Sequence, residues 1–168
     1  MKSIIRFICV AVAISLAFTS CDKDDNETSG EKTALEGKWV HSERDEYDNN
    51  GYADRVESFT FKGNTYILES SETGRNPQGG LWGYGHKLTG TFTCTESTFT
   101  IKVEKFYGFN NGDEQFDWHE YDEGSVGKTF TFSYQIEDGV SFGVTAPEEF
   151  VLGAGSYLGP DQVWYVKE

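Results

Sequence analysis

Apolar and polar residues alternate one by one through much of the second half of the chain. Leu88, Gly90, Phe92 and Cys94 share one side of an extended segment, and Thr89, Thr91, Thr93 and Thr95 share the other. Phe99, Ile101 and Val103 alternate with Thr100, Lys102 and Glu104; Phe130, Phe132, Tyr134 and Ile136 alternate with Thr131, Ser133 and Gln135. Period two over short segments marks half-buried antiparallel strands, and no window keeps a helical period. Further strands are predicted at 38–45, 57–62, 65–70, 140–144 and 162–167, with shorter candidates at 81–85 and 114–121. Asn49-Asn50-Gly51, Gly63-Asn64 and Asp138-Gly139 supply tight turns, because Asn, Asp and Gly tolerate positive φ. Gly74, Pro77, Gly79 and Gly80 mark a long loop. The pattern predicts an all-β domain of about eight strands. An up-and-down antiparallel barrel leaves no open sheet edge, which favours it over the alternative, a β-sandwich.

The alternation begins at Leu35, and what precedes it has a different character. Residues 4–18 are largely apolar, with Lys2 before them and Arg6 near their start: too short to span a bilayer, but the right length for the core of a signal peptide. Phe18-Thr19-Ser20-Cys21 resembles a bacterial lipobox, with Phe where Leu is usual. That resemblance implies cleavage before Cys21 and lipid on its sulfur. Each buried CH₂ contributes about 0.8 kcal/mol, so several acyl chains would anchor the protein to a membrane without spanning it. Residues 22–33 (DKDDNETSGEKT) contain no hydrophobe and are expected to stay disordered, reaching about 40 Å when extended. Cys21-Asp22-Lys23-Asp24-Asp25 also resembles a surface-export signal of bacterial lipoproteins. The expected organisation is a signal peptide (1–20), an acidic tether (21–34) and a barrel domain (35–168). The expected location is the outer membrane, lipid-anchored and facing the cell surface, with a periplasm-facing orientation as the alternative. Cys9 leaves with the signal and Cys21 takes the lipid, so the sequence predicts no intrachain disulfide for Cys94.

The formal charge of the 168-residue chain is −14, and loss of Lys2 and Arg6 makes it more negative. This argues against nucleic acid and against a polybasic membrane contact; it suits cations, cationic partners and neutral sugars.

Gly37-Lys38-Trp39 at the domain's start, Phe59-Thr60-Phe61 followed by Gly63-Asn64-Thr65-Tyr66, and the closing Val163-Trp164-Tyr165 resemble the strands of bacterial lipocalin-like lipoproteins. The likeness covers Leu35 to Glu168. Gly37 turns the chain into the sheet and Trp39 plugs one barrel end. Where lipocalins usually pack an arginine of the last strand on this tryptophan, the chain offers Lys167. The resemblance implies a barrel that holds a small hydrophobic or amphipathic molecule in its interior or at its open end.

Candidate chemistry is sparse. Glu46, Asp48, Asn50, Asp54 and Glu57 stand at positions 1, 3, 5, 9 and 12 of a calcium-loop spacing, with Gly51 at position 6. The competing reading is an acidic hairpin tip, and it is preferred because strands flank the segment. Gly124-Ser125-Val126-Gly127-Lys128-Thr129 imitates the end of a phosphate loop, but a strand follows it where a helix is needed. Gly153-Ala154-Gly155-Ser156 lacks the spacing of a nucleophile elbow. His41, His86 and His119 lack paired metal-ligand spacing. Aromatics make up 15% of the chain, and many fall outside the clean strands. Trp82, Tyr84, Phe106, Tyr107, Trp118 and Tyr121 form a candidate ligand-binding rim, against the plainer reading of extra core. The expected function is that of a monomeric, non-catalytic surface lipoprotein, without a cofactor, binding a small amphipathic molecule or a glycan at an aromatic barrel mouth. The alternative is an interaction lipoprotein with a filled barrel contacting another protein. A binding barrel is expected to lack a buried acid pair; an enzyme would need one.

Overall fold

The computed structural model describes residues 33–47, 51–109, 117–152 and 156–168. Nine strands and no helix occur among them: β1 (Gly37–Tyr47), β2 (Gly51–Lys62), β3 (Thr65–Arg75), β4 (Leu81–Cys94), β5 (Thr98–Phe109), β6 (His119–Tyr121), β7 (Thr129–Glu137), β8 (Ser141–Thr145) and β9 (Val163–Lys167). All pairs are antiparallel, and eight strands close a ring in the order β1-β2-β3-β4-β5-β7-β8-β9 and back to β1. Among the described residues β6 pairs with the far half of β5 alone. The architecture is a closed up-and-down barrel with a lipocalin-like strand order, not a sandwich.

Several strands run further than their cleanest alternation. β2 begins at Gly51, β3 continues through Gly74 to Arg75, and β4 runs unbroken from Leu81. The long loop expected around Gly74 shrinks to 76–80. These extensions are hydrogen-bonded in register along their whole length, for instance from Lys62↔Thr65 to Tyr52↔Arg75. Their inward residues are polar, so the ladder continues where the hydrophobic signal fades. The Asp138-Gly139 turn has positive φ at both residues, 51° and 70°, and joins β7 to β8 as its sequence predicts.

The register stacks the inward residues of β1–β4 into layers, since directly paired residues share a face. The apolar layer is Trp39–Phe59–Leu68–Leu88, read across β1 to β4. Phe59 is the hub. Its ring lies 5.6 Å from Phe61, 5.7 Å from Phe99, 5.8 Å from Phe142 and 5.4 Å from Tyr165, mostly edge to face. Phe99 and Phe132, partners across β5 and β7, stack at 4.8 Å. This half of the barrel is filled with rings.

The filled end is also the plugged end. Gly37 sits at φ +124°, a conformation that disfavours a side chain, and a Cβ there would meet the Lys167 side chain at 3.0 Å. Trp39 is fully buried, donates from Nε1 to the Leu35 carbonyl at 2.8 Å, and lies under Lys167 Nζ, 4.9 Å from the ring centroid. Lys167 thus takes the position on the plug that the resemblance assigns to arginine.

One expectation is corrected. Cys94, the last residue of β4, is disulfide-bonded, and its partner lies outside the described residues. The bond is one of the full chain, which carries Cys9 and Cys21 as well as Cys94; cleavage before Cys21 with lipid on its sulfur would exclude it.

Because Phe59 contacts rings from four other strands, Phe59→Ala should open a cavity the rigid barrel cannot collapse. The expected loss is about 3–5 kcal/mol, read as a lower denaturant midpoint at unchanged m-value.

Candidate functional site

One layer above Phe59 the barrel interior turns polar. The next row across β1–β4 is His41–Glu57–Ser70–His86, and the one above it is Glu43–Arg55–Glu72–Tyr84. Counting back by two from Phe59 reaches Glu57 and Arg55, so strand geometry forces both inward. Glu57 has no exposed surface. Such a carboxylate is tolerated only with donors around it, and they come from distant parts of the chain. Ser156 Oγ donates to Glu57 Oε2 at 2.6 Å, the Tyr157 amide donates to the same oxygen at 3.3 Å, and the Tyr165 hydroxyl donates to Oε1. Leu158 N donates to Ser156 Oγ at 3.2 Å, closing the clasp. Burial pushes the Glu57 carboxyl above its ordinary range, with the hydrogen-bond donors pulling the other way. Burial also raises Tyr165 well above a normal phenol, and Glu57 adds to it.

His41 completes this corner. Its Nδ1 lies 2.7 Å from the Trp164 carbonyl, so it is the protonated nitrogen, and the ring meets Tyr157 edge-on at 4.4 Å. In the upper row Arg55 bridges two acids, Nε to Glu72 at 3.0 Å and Nη1 to Asp45 at 3.1 Å. Tyr84 donates to Glu72 at 2.6 Å, and burial, reinforced by Glu72, pushes its phenol up to about 12.

The barrel therefore does hold two inward, buried acids, Glu57 and Glu72, contrary to the expectation for a binding barrel. Each is already engaged: Glu72 by Arg55 and Tyr84, Glu57 by the clasp. Neither presents a bare carboxylate to a substrate in this conformation.

Among the described residues a cavity lies to the side. β5 pairs with β7 only from Thr98↔Ser133 to Lys102↔Thr129; its far half pairs with β6 instead. The wall splits there, and the turn 124–127 fills the split, held by Gly127 N→Val103 O (2.8 Å) and Val103 N→Lys128 O (2.9 Å). Above this turn a cavity of about 550 Å³ opens. Phe106, Phe109, Phe130 and Leu152 form its apolar walls, and Glu123, Ser125, Lys128 and Glu149 its polar ones. His86, the end of the polar row, looks into it with its ring 5.5 Å from Phe106. Among the described residues two atoms of its lining side chains, His86 Nδ1 and Ser125 Oγ, are buried without a hydrogen-bond partner. Burial lowers the His86 pKa, so its imidazole is neutral near pH 7.

The six aromatics of the predicted rim separate into two sets. Trp82 and Tyr84 face inward on β4 and stack at 6.1 Å. Phe106 walls the cavity, and Tyr121, its partner on β6, lines the same space at 44% exposure. Tyr107 and Trp118 lie outside, clamping Lys87 Nζ at 4.9 and 4.5 Å from their rings. Period two explains the division: Phe106 and Tyr107 are consecutive on β5 and must point to opposite faces. Gly37 and Trp39 stand at the plugged end. Of the calcium-spaced residues, Asp54 is held by Arg44 through two contacts of 2.6 and 2.7 Å, while Glu57 points into the barrel. Glu46 is on β1, and Asp48 and Asn50 lie outside the described residues, as does Cys21. Residues 54 and 57 are an odd number apart on one strand and so point to opposite faces. No group of three or more His, Cys, Asp or Glu among the described residues is placed to hold a metal ion.

Sequence reasoning did not assign His41, Arg55, Glu72, His86, Ser125 and Tyr157 to the barrel interior or the cavity. The first four were within reach, since extending period two from Trp39, Phe59, Leu68 and Leu88 lands on each. The other two sit in connections without periodicity.

A raised carboxyl pKa in the folded state means the folded protein holds that proton more tightly. Glu57 therefore contributes stability that is full below its ordinary value of 4.5 and is lost as pH rises through its folded value. Subtracting the denaturation profile of Glu57→Gln from that of the native chain should isolate a component declining with pH above 4.5. A difference that is flat or rising would contradict the assignment. Comparison of the chain with protein-family models finds no match, and comparison with curated proteins finds none either.

Proposed function

We propose that this chain is a lipid-anchored, non-catalytic binding protein that takes a small amphipathic molecule into the side of its barrel mouth. The observation that carries this reading is the cavity of about 550 Å³ with aromatic walls and charged and hydroxyl side chains among its lining. Its size and mixed lining suit a small organic ligand. The plugged half of the barrel is packed with rings, so the mouth is where the fold leaves room. The anchor rests on the lipobox-like Phe18-Thr19-Ser20-Cys21, and the outward orientation on the acidic residues after it. Docking of another protein is the competing reading, and it draws on exposed Leu81 (66%) and Val151 (80%). Single exposed hydrophobes are common on any surface, so they weigh less than a built cavity.

A neutral fluorescent amphiphile, N-phenyl-1-naphthylamine, should bind the native protein with saturable enhancement. Gly108 lines the cavity, and a Cβ there would meet the Tyr121 ring at 3.2 Å. Gly108→Leu should therefore weaken binding by about tenfold or more while the circular dichroism spectrum stays β-type. Unsaturable or unaltered binding would remove the cavity as the site. For the anchor, labelled palmitate should enter the native chain in a Gram-negative host and be absent from Cys21→Ser, which should also leave the membrane fraction.

A further inference from the structure

We propose that the side cavity selects an organic cation, an ammonium group carried on an apolar body, with Glu123 and Glu149 drawing the charge and the aromatic walls holding the body. This rests on the binding reading above and specifies its ligand class.

Two separate segments bring the carboxylates to one space. Glu123 opens a turn closed by Val126 N→Glu123 O at 2.9 Å, and Glu149 sits inside a turn closed by Phe150 N→Pro147 O at 2.9 Å. Both side chains line the cavity and both are exposed, so an incoming ligand meets them from solvent. Among the described residues neither carboxylate belongs to a salt bridge, and Lys128, which lines the same cavity, pairs with neither. Two carboxylates thus stand against one ammonium, in a chain of formal charge −14. A cation gains from the near charges and from the field of the whole chain; an anion loses to both. The walls decide what carries the charge. Phe106, Phe130 and Leu152 are buried apolar side chains, and a bare metal ion would leave them unused. No group of three or more His, Cys, Asp or Glu among the described residues is placed to hold such an ion. An apolar body fills the walls, and the rings of Phe106 and Tyr121, partners across β5 and β6, are surfaces that an ammonium group favours.

The test is displacement of N-phenyl-1-naphthylamine from the native protein at pH 7 by 1-naphthylmethylamine, 1-naphthalenemethanol and 1-naphthoate, which share one ring system and differ in charge. The expected order is amine first, about tenfold tighter than the alcohol, and naphthoate last, each partly screened carboxylate contributing about threefold. Added salt should narrow the gap between amine and alcohol. In Glu123→Gln and in Glu149→Gln the amine-to-alcohol ratio should fall about threefold with the alcohol's affinity unchanged, and in the double variant it should approach unity. Glu137→Gln removes a charge at the end of β7, beside the Asp138-Gly139 turn, and should leave the ratio as it is. A fall there equal to that in Glu123→Gln would mean that the chain's overall charge, not the cavity, draws the cation, and would overturn the inference. An amine no tighter than the alcohol in the native protein, or a preference that survives the double variant, would overturn it equally. The native ranking needs no variant, so a substitution that impairs folding does not remove the test. If the fluorophore binds and the three compounds rank alike, only this inference fails. If the fluorophore does not bind at all, the binding reading fails with it.

Discussion

Phe59 and Glu57 lie two residues apart on one strand, and that spacing obliges the barrel to hold a benzyl ring and a carboxylate in adjacent layers. Neither can be turned outward without shifting the whole of β2 by one residue, which would also expose Phe61. The ring is accommodated by other rings. The carboxylate cannot be, because burying it without donors costs several kcal/mol. Its partners come from about a hundred residues further on, at Ser156, Tyr157 and Tyr165. The C-terminal part of the chain is thereby bound to the interior at the level where packing changes from apolar to polar.

That change of level divides the barrel into two unlike halves. Toward the plug, Trp39, Phe59, Phe99, Phe132 and Phe142 leave no room, and Lys167 lies across the plugging tryptophan. Toward the mouth, the rows through Glu57 and Arg55 are crossed by hydrogen bonds and ion pairs that occupy the β1–β4 wall. Space survives on the opposite wall, where β5 exchanges β7 for β6 and the turn after Gly124 fills the split. The segment that imitates a phosphate loop thus lines a cavity, through Gly124, Ser125 and Lys128, without any helix to hold a phosphate.

The lipocalin likeness is one of architecture. Eight antiparallel strands in sequential order, a glycine-turned opening strand and a tryptophan plug under a basic side chain all follow that plan. The polar middle layer has a physical consequence of its own: a buried carboxylate and buried tyrosine hydroxyls constrain which ligands the interior can accept, so the likeness by itself does not carry a ligand class to this chain.

Alternation in the primary chain was enough to determine the strands, their inward rings, the antiparallel order and the Asp138-Gly139 turn, because period two and turn chemistry are local properties. It was also enough, in principle, to aim His41, Glu57, Ser70 and His86 inward, since each lies two residues beyond a clearly apolar position. Only the tertiary structure decided that Glu57 meets Ser156 and Tyr165, that Lys87 stands between Tyr107 and Trp118, and that a cavity opens beside His86. These depend on barrel closure, on the point where β5 changes partners, and on where aperiodic connections land. Contacts between residues a hundred positions apart leave no trace in a local pattern.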